Sequence, residues 1–154
     1  MNGIVKNILL AKEAGGAITS AQSAELQAGK GIVGDRYYSS QGTFSEILQD
    51  LPEFELTLIE QEQIDYFNQL TGFHYSGIDF RRNIVTTGIR LNDLVDKEFS
   101  IGKVKLRGIR LCEPCAHLAS ISGPKVLQHM VHRAGLRTQI LSGGDVHISD
   151  IIIR

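Results

Sequence analysis

The sequence predicts a mainly β protein whose short strands form a closed or partly closed barrel, with two to three helices at its margin. Residues 99–111 alternate apolar and polar side chains, which is typical of strands with one buried face. Sixteen glycines against three prolines favour many turns between short strands. Roughly seven or more such strands are recognisable, and they do not alternate regularly with helices, which disfavours a doubly wound parallel sheet.

The first third of the chain combines two predicted strands with a long loop. Gly3–Leu10 has strand character, and residues 31–36 read as a short strand that ends in a turn at Gly34. Residues 37–50 show little periodicity and contain small polar side chains, which predicts a surface loop. Loops of this length in compact domains often carry function.

A strand followed directly by a helix is predicted next. Residues 55–59 are rich in apolar and β-branched side chains, and Gly72 offers a helix stop. Between them, one helical face carries three residues spaced by three, which are Ile64, Phe67 and Leu70. Residues 83–87 form a further short run with strand character.

The strand pattern in residues 99–111 changes phase twice. The apolar positions shift parity at Gly102 and at Gly108, which predicts a turn or a β-bulge at each glycine. The opposite face is basic and carries Lys103, Lys105, Arg107 and Arg110. We therefore expect one hydrophobic and one basic face.

The last third of the chain is predicted to hold a second helix and two paired strands. The helix spans residues 123–134, with Ser122 as its N-cap. Leu136–Ser142 and residues 145–148 flank the Gly143-Gly144 pair, a pattern that predicts a β-hairpin.

Length and charge bound the class of protein. A chain of 154 residues suits one domain spanning residues 1–154. The net charge of -1 gives no global attraction to nucleic acid or to an anionic membrane. No stretch approaches the ~20 apolar residues that span a bilayer. Lys6 interrupts the apolar N-terminal stretch and no basic segment precedes it, so we predict no signal peptide and a cytoplasmic location.

Cys112 and Cys115 form the strongest candidate for chemistry. In a reducing cytosol, a C-x-x-C pair is better explained by free thiols, a metal site or a catalytic site than by a structural disulfide. At the end of a strand and ahead of a helical turn, a thiol near unpaired backbone N–H groups is available as thiolate. Thiolate is the form that binds soft metals or accepts sulfur.

Three alternatives to a functional thiol stay open. The cysteines can be buried packing residues, as free cysteines often are. They can form half of a zinc site, although such a site needs four ligands and only His117 is near. They can also form a redox pair, although the βαβ context of such pairs is missing.

Two arginine-containing segments are further candidates. Arg36, in a Gly-Asp-Arg turn, offers bidentate recognition of a phosphate or of a pterin edge, and the alternative is a turn with a surface Asp35–Arg36 pair. Arg81 and Arg82 precede a strand and are expected to point in opposite directions, so at most one faces a site. The neighbouring Asn83 both donates and accepts hydrogen bonds. The alternative for these three residues is a solvated strand edge protected by charge.

Six segments, in order along the chain, resemble the motifs of one family. They are Gly31-Ile32-Val33-Gly34-Asp35-Arg36, Thr57-Leu58-Ile59-Glu60, Arg81-Arg82-Asn83-Ile84-Val85, Phe99-Ser100-Ile101-Gly102, Leu111-Cys112-Glu113-Pro114-Cys115 and His132-Arg133-Ala134-Gly135-Leu136-Arg137. Together they cover nearly the whole chain and resemble the MOSC domain. That domain occurs at the C-terminal end of molybdenum-cofactor sulfurases and as stand-alone bacterial proteins.

The resemblance implies a barrel of the pyruvate-kinase-barrel type and a role with the molybdenum cofactor (molybdopterin) or with sulfur transfer. In the family, the cysteine after the proline is the ligand of metal or sulfur, which carries over to Cys115. Cys112 then becomes a catalytic neighbour, a resolving thiol at most. The resemblance thus makes the two cysteines unequal.

The resemblance also implies a pocket. Arg36, Arg82 and Asn83 fall on motif positions that line the family's pocket, and Asp35 belongs to the same turn as Arg36. Many family members have a histidine after this turn, where the present chain has Tyr37-Tyr38. The departure points to a subgroup with a different ligand.

Three functions follow as hypotheses. The first is a molybdenum-cofactor-binding protein that reduces N-hydroxylated compounds with electrons from a separate electron-transfer protein. The second is a sulfur carrier in which Cys115 takes a persulfide from a sulfur donor. The third is a non-enzymatic metal-binding module that uses the cysteine pair and His117.

Overall fold

The computed structural model describes residues 2–49 and 51–154. Met1 and Asp50, the last residue of the predicted loop, lie outside the described residues. The strands are β1 (Gly3–Leu10), β2 (Thr19–Ala21), β3 (Ser23–Gln27), β4 (Gly31–Ile32), β5 (Leu56–Glu60), β6 (Ile84–Thr87), β7 (Glu98–Ile101), β8 (Val104–Leu111), β9 (Leu136–Ser142), β10 (Gly144–His147) and β11 (Ile151–Ile153). The α-helices are α1 (Ser45–Leu48), α2 (Gln61–Thr71), α3 (Gly77–Phe80), α4 (Ala116–Ser122) and α5 (Lys125–His129).

Seven strands close into a barrel, which confirms the predicted mainly β fold with peripheral helices. Their order is β11-β7-β8-β9-β5-β6-β1, and β1 pairs again with β11. Within this ring β5 and β6 run parallel and the other pairs are antiparallel. β2 extends the sheet beyond β1, and β10, β3 and β4 form a separate three-stranded sheet. Among the described residues, no helix is long and apolar enough to span a bilayer.

Two hydrophobic cores explain why β5 and β6 are apolar on both faces. Leu58 and Ile84 point into the core inside the barrel, whereas Ile59 and Val85 belong to a second core. The second core packs α2, α3 and α5 against the outside of the barrel, with Phe67 fully buried at its centre. Strands covered on both faces lose the apolar–polar alternation. On α2, Leu70 is 51% exposed and does not share the buried face as predicted.

The two glycines at which the strand pattern changes phase have the predicted roles. Gly102 (φ 55°) turns the chain between β7 and β8. Gly108 lies where the β8–β9 register shifts, which is a bulge. A Cβ atom at Gly108 would overlap the carbonyl oxygen of Leu94, so the glycine lets the backbone before β7 cross β8 closely.

The predicted helix over residues 123–134 is wrong in extent. Two shorter helices, α4 and α5, are separated by Gly123 (φ 98°), which ends α4. Ser122 does not cap α5, because its hydroxyl donates to the carbonyl oxygen of Asp79. After Met130 the chain turns with His132 in the left-handed region (φ 61°), which stops the helix five residues after it begins.

The predicted hairpin around Gly143-Gly144 is also wrong, although both of its strands exist. The end of β9 pairs with β8, with Ser142 opposite Lys105. β10 instead leaves the barrel and pairs with β3, with Val146 opposite Ala24. A Cβ atom at Gly143 would overlap the carbonyl oxygen of Leu26, so the glycine permits this close crossing.

One polar side chain ties three barrel strands together. Asn83 is 3% exposed, and its Oδ1 accepts hydrogen bonds from the backbone N–H and the hydroxyl of Thr57 on β5, both at 3.1 Å. Its Nδ2 donates to the carbonyl oxygen of Leu9 on β1 at 3.3 Å. A buried amide with both ends used fixes the spacing of β1, β5 and β6.

Removing this amide is expected to destabilise the barrel. We predict that Asn83→Ala lowers the free energy of unfolding by about 3 kcal/mol, because buried donors and acceptors on two strands lose their partner. Asn92→Ala removes one exposed hydrogen bond to His132 and is the matched control, with an expected loss below about 1 kcal/mol. Urea denaturation measures the free energy of unfolding of both variants. Equal losses in the two variants would contradict the role of the Asn83 amide in holding the three strands together.

The Gly108 crossing gives a second prediction. Gly108→Ala is expected to lower the free energy of unfolding by more than about 2 kcal/mol, because backbone rather than a flexible side chain must move. Gly29→Ala serves as the control, since its Cβ meets nothing within 4 Å and only its positive φ of 79° opposes the change. That control should cost about 1 kcal/mol. If the urea unfolding midpoint of Gly108→Ala equals that of Gly29→Ala, the close backbone contact between Gly108 and Leu94 does not constrain the fold.

Candidate functional site

An open cleft at one end of the barrel collects most of the predicted site residues. It holds about 510 Å³ of empty space, counting its solvent-exposed mouth. Its lining residues come from the loop between β1 and β2, the loop between β4 and α1, β5, the residues between α3 and β6, the stretch from the end of β8 into α4, and the start of β9. We call it the cysteine cleft, because both Cys112 and Cys115 line it.

The two thiols differ in access. Cys112 is 1% exposed and follows the end of β8, where its backbone N–H donates to the carbonyl oxygen of Gly135 at 2.7 Å. Cys115 is half-buried and precedes α4, and its Sγ accepts a hydrogen bond from the N–H of Leu118 at 3.5 Å. Both cysteines are free thiols. Cys115 is therefore the thiol that a ligand in the cleft can reach.

The loop between the cysteines is held from outside by residues 132–135, which we call the brace segment. The carboxylate of Glu113 accepts from the backbone N–H of His132 at 2.9 and 3.3 Å and lies 3.1 Å from its Nδ1. Arg82 Nε donates to the carbonyl oxygen of Ala134 at 2.8 Å. With the Gly135–Cys112 bond, these contacts fix the thiol loop and Arg82 to the same stretch of backbone.

Arg36 is held rigidly in the cleft wall. Its Nη1 donates to Oδ1 of Asp35 at 3.1 Å and its Nη2 donates to the carbonyl oxygen of Arg81 at 3.3 Å. Asp35 is 2% exposed and also accepts from the N–H groups of Ala11 and Tyr37. The Asp35 side chain thus orients Arg36 and does not itself line the cleft.

Arg81 and Arg82 both line the cleft, contrary to the expectation that at most one would. The reason is the backbone of Arg81, which ends α3 in the left-handed region (φ 56°) and so breaks the alternation of a strand. Arg81 donates to the carbonyl oxygen of Gly16 at 3.0 Å. Burial and the neighbouring Arg36 guanidinium lower the pKa of Arg81 below its ordinary value.

Arg137 is a cleft residue that sequence reasoning missed. It begins β9 beside Arg110 of β8, and its Nε is buried without a hydrogen-bond partner in the described structure. A buried guanidinium nitrogen without an acceptor is costly unless a ligand supplies one. The available signal was its place in the last of the six family-like segments, but arginines on strands are too common to single it out.

Asn83 is not among the residues that line the cleft. Its amide acts behind the wall through Thr57, which does line it. Of the predicted site residues, the structure therefore brings together Arg36, Arg82 and both cysteines. Asp35 and Asn83 stand one layer behind them.

The charge of the cleft is one-sided. Four guanidinium groups line it, from Arg36, Arg81, Arg82 and Arg137, and no carboxylate does so in the described chain. Low dielectric surroundings strengthen the attraction of such a cluster for an anion. Planar guanidinium groups are suited to phosphate, carboxylate and other flat acceptors.

An aromatic wall faces the arginines. Tyr37 lines the cleft with its ring 5.0 Å from the guanidinium carbon of Arg36. Phe44 and His117 also line it and meet edge to face with ring centres 6.0 Å apart. Tyr38 turns elsewhere and donates to the side-chain oxygen of Gln27 at 3.0 Å. Of the two tyrosines in the family's histidine position, only Tyr37 thus enters the cleft of the described structure.

Metal ligands are sparse in the cleft. Residues 2–49 and 51–154 contain no group of three or more His, Cys, Asp or Glu side chains that could hold a metal ion. His117 Nε2 lies 3.4 Å from the hydroxyl of Thr43. The zinc-type site proposed from the cysteine pair and His117 therefore lacks a ligand cluster in this part of the chain.

Three solved structures that share the fold are distant from this chain in sequence. The YuaD protein of Bacillus subtilis has a TM-score of 0.80 at 15% identity, covering 99% of this chain and 94% of that one. YiiM of Escherichia coli gives 0.71 at 15% identity, with 99% and 69% covered. YiiM of Geobacillus stearothermophilus gives 0.70 at 12% identity, with 98% and 74% covered. At such identities the likeness shows the fold alone.

Sequence comparison is more specific at the level of the family. No curated protein sequence matches the chain. The family profile described as MOSC domain matches residues 25–152, which include β4 to β10 and every residue that lines the cysteine cleft except Gly15. The chain belongs to the MOSC domain family.

Proposed function

We propose that the cysteine cleft binds the molybdenum cofactor, with Cys115 Sγ as the protein ligand of molybdenum. The observation that carries this proposal is an accessible thiol in a cleft that, among the described residues, is lined by four guanidinium groups and by no carboxylate. A soft thiolate suits molybdenum, and the arginines suit the anionic parts of the cofactor.

The residues of the cleft fit such a group. Arg137 Nε is buried without a hydrogen-bond partner among the described residues, so it is available to donate to an anionic group of the cofactor. The described chain offers no cluster of three protein ligands, so a metal that arrives with cofactor ligands suits the cleft better than a bare ion does. One thiolate from Cys115 then completes the set of protein ligands.

The other side chains take supporting parts in this proposal. Arg36 and Arg82 bind anionic groups, and each is preset by its own hydrogen bonds. Asp35 holds Arg36, while Asn83 holds Thr57 in the cleft wall. Both residues position the site without direct contact to the cofactor.

The enzymatic form of the proposal is reduction of N-hydroxylated compounds. When bound, the cofactor supplies two-electron oxygen-transfer chemistry that no side chain can supply. Conversion of R–NHOH to R–NH2 and water consumes two electrons and two protons. A separate electron-transfer protein of the cytoplasm delivers the electrons, and the aromatic wall with Tyr37 and Phe44 orients the substrate beside Cys115.

Loss of the thiol is expected to abolish metal retention. In protein purified from a molybdenum-replete host, Cys115→Ser should lower the molybdenum content roughly tenfold or more. Removing a residue that bonds the metal is expected to weaken metal binding at least as much as removing a residue that only orients such a ligand. Cys112→Ala is the matched control and should keep its molybdenum. Elemental analysis together with pterin fluorescence measures both.

Two results would contradict the proposal. One is a folded wild-type protein with neither molybdenum nor pterin. The other is equal molybdenum in wild type and Cys115→Ser, which would place the metal outside the cysteine cleft.

Sulfur carriage is a second candidate, favoured by the fact that both cysteines line one cleft. The Cys115 thiolate would attack the terminal sulfur of a donor persulfide. A new S–S bond forms on Cys115, the donor S–S bond breaks, and the donor leaves as thiolate. In the release step the Cys112 thiolate attacks Cys115 Sγ, a Cys112–Cys115 disulfide forms, the persulfide S–S bond breaks, and the outer sulfur leaves as hydrosulfide.

Mass spectrometry after incubation with a cysteine desulfurase and free cysteine tests this candidate. We expect the added mass of one sulfur on Cys115 in the wild type and in Cys112→Ala, and none in Cys115→Ser. An unmodified Cys115 in a folded sample would rule out sulfur carriage.

A further inference from the structure

A second cleft is built partly from the brace segment. Its lining includes Glu60, Gln63, Arg90, Asn92, His132 and Arg133. It holds about 930 Å³ of empty space with its open mouth, against 510 Å³ for the cysteine cleft. No residue of the described chain lines both clefts. The second cleft is therefore a separate cavity.

Its charge also favours an anion. Arg90 and Arg133 face a single carboxylate, that of Glu60. Glu60 is buried, and its Oε2 already accepts the N–H of Leu91 at 3.2 Å. Burial raises the pKa of Glu60 above its ordinary value.

Arg133 is fixed before any ligand arrives. Its guanidinium carbon lies 3.9 Å from the centre of the Tyr66 ring, and its Nη1 donates to Gln63 Oε1 at 2.8 Å. A stacked guanidinium loses little freedom on binding and keeps further N–H groups for an acceptor. Arg90 pairs with Asp93 at 3.7 Å, with both side chains largely exposed, and such an exposed pair is easily exchanged for a ligand.

The wall of this cleft also supports the thiol loop. His132 lines the second cleft while its N–H and imidazole hold Glu113, between the two cysteines. The backbone of His132 is in the left-handed region (φ 61°), and its carbonyl oxygen accepts from Asn92 at 3.0 Å. A ligand that displaces Asn92 therefore moves His132, the residue on which the loop between the two cysteines rests.

We infer that the second cleft binds a small molecule bearing a phosphate or carboxylate group, and that its occupancy alters the access of Cys115. The preoriented guanidinium of Arg133 donates hydrogen bonds to the anion, and Arg90 supplies the second positive charge. The path to Cys115 runs from the brace segment through His132 and Glu113. The inference does not depend on which group the cysteine cleft binds.

The test is titration of the full chain with inorganic phosphate and, separately, with succinate at constant ionic strength, followed by backbone amide NMR. We expect saturable shifts in residues 60–63, 90–92 and 131–133. Arg90→Gln and Arg133→Gln should each weaken the affinity about tenfold, the loss of one charge-assisted contact. Arg107→Gln, on β8 and outside both clefts, and Arg137→Gln, in the cysteine cleft, should leave this binding unchanged.

The two probes also identify the class of anion, because the probe that binds with the higher affinity shows whether the second cleft prefers a phosphate or a carboxylate group. Shifts that do not saturate with either probe, or that survive both Arg90→Gln and Arg133→Gln, would overturn the site. Arg90 is largely exposed, so its variant keeps the test valid even where Arg133→Gln disturbs packing on Tyr66.

The link to the thiol has its own readout. At saturating probe, the rate of Cys115 alkylation by iodoacetamide should change at least twofold, and the change should vanish in Glu113→Gln and in Arg133→Gln. A rate that stays constant in the wild type, or a change that persists in Arg133→Gln, would show that the second cleft does not act on Cys115.

Discussion

The close approach of Gly135 to β5 is the constraint on which the site depends. A Cβ atom at Gly135 would overlap the carbonyl oxygen of Leu58, and the residue has a φ of 115° that side chains disfavour. This contact presses the brace segment against the barrel at the start of β9. From that position its backbone holds the N–H of Cys112, the guanidinium of Arg82 and, through His132, the carboxylate of Glu113. A glycine thus sets the place of the chemistry-bearing residues.

Positive charge without nearby counter-charge is the second organising feature. Among the described residues, the carboxylate that contacts a cleft arginine is that of Asp35, which fixes Arg36 and lies behind the wall. The guanidinium groups of Arg81 and Arg82 are held by backbone carbonyls, which orient them without neutralising them. Arg137 Nε has no such partner in the described structure. The cleft is therefore prepared for an anion next to the reachable thiol of Cys115.

The sequence predicted most strongly where local pattern and tertiary packing agree. The phase changes at Gly102 and Gly108 predicted a turn and a bulge, because a period of two has little tolerance for an added residue. Cys115 and Arg36 were found because a rare residue type or a family-like turn marked them. The hairpin at Gly143-Gly144 failed because local turn signals do not show that the end of β9 pairs with β8 and that β10 pairs with β3. The left-handed backbone of Arg81 and the empty acceptor position at Arg137 arise from tertiary contacts, which no spacing of residues records.

The most direct test of the account is a crystal structure of protein from a molybdenum-replete host, with anomalous scattering measured at the molybdenum absorption edge. The account predicts one strong peak at bonding distance from Cys115 Sγ, with anionic groups of the cofactor against Arg36 and Arg137. A cysteine cleft without such a peak, in protein that retains molybdenum bound elsewhere, would contradict it.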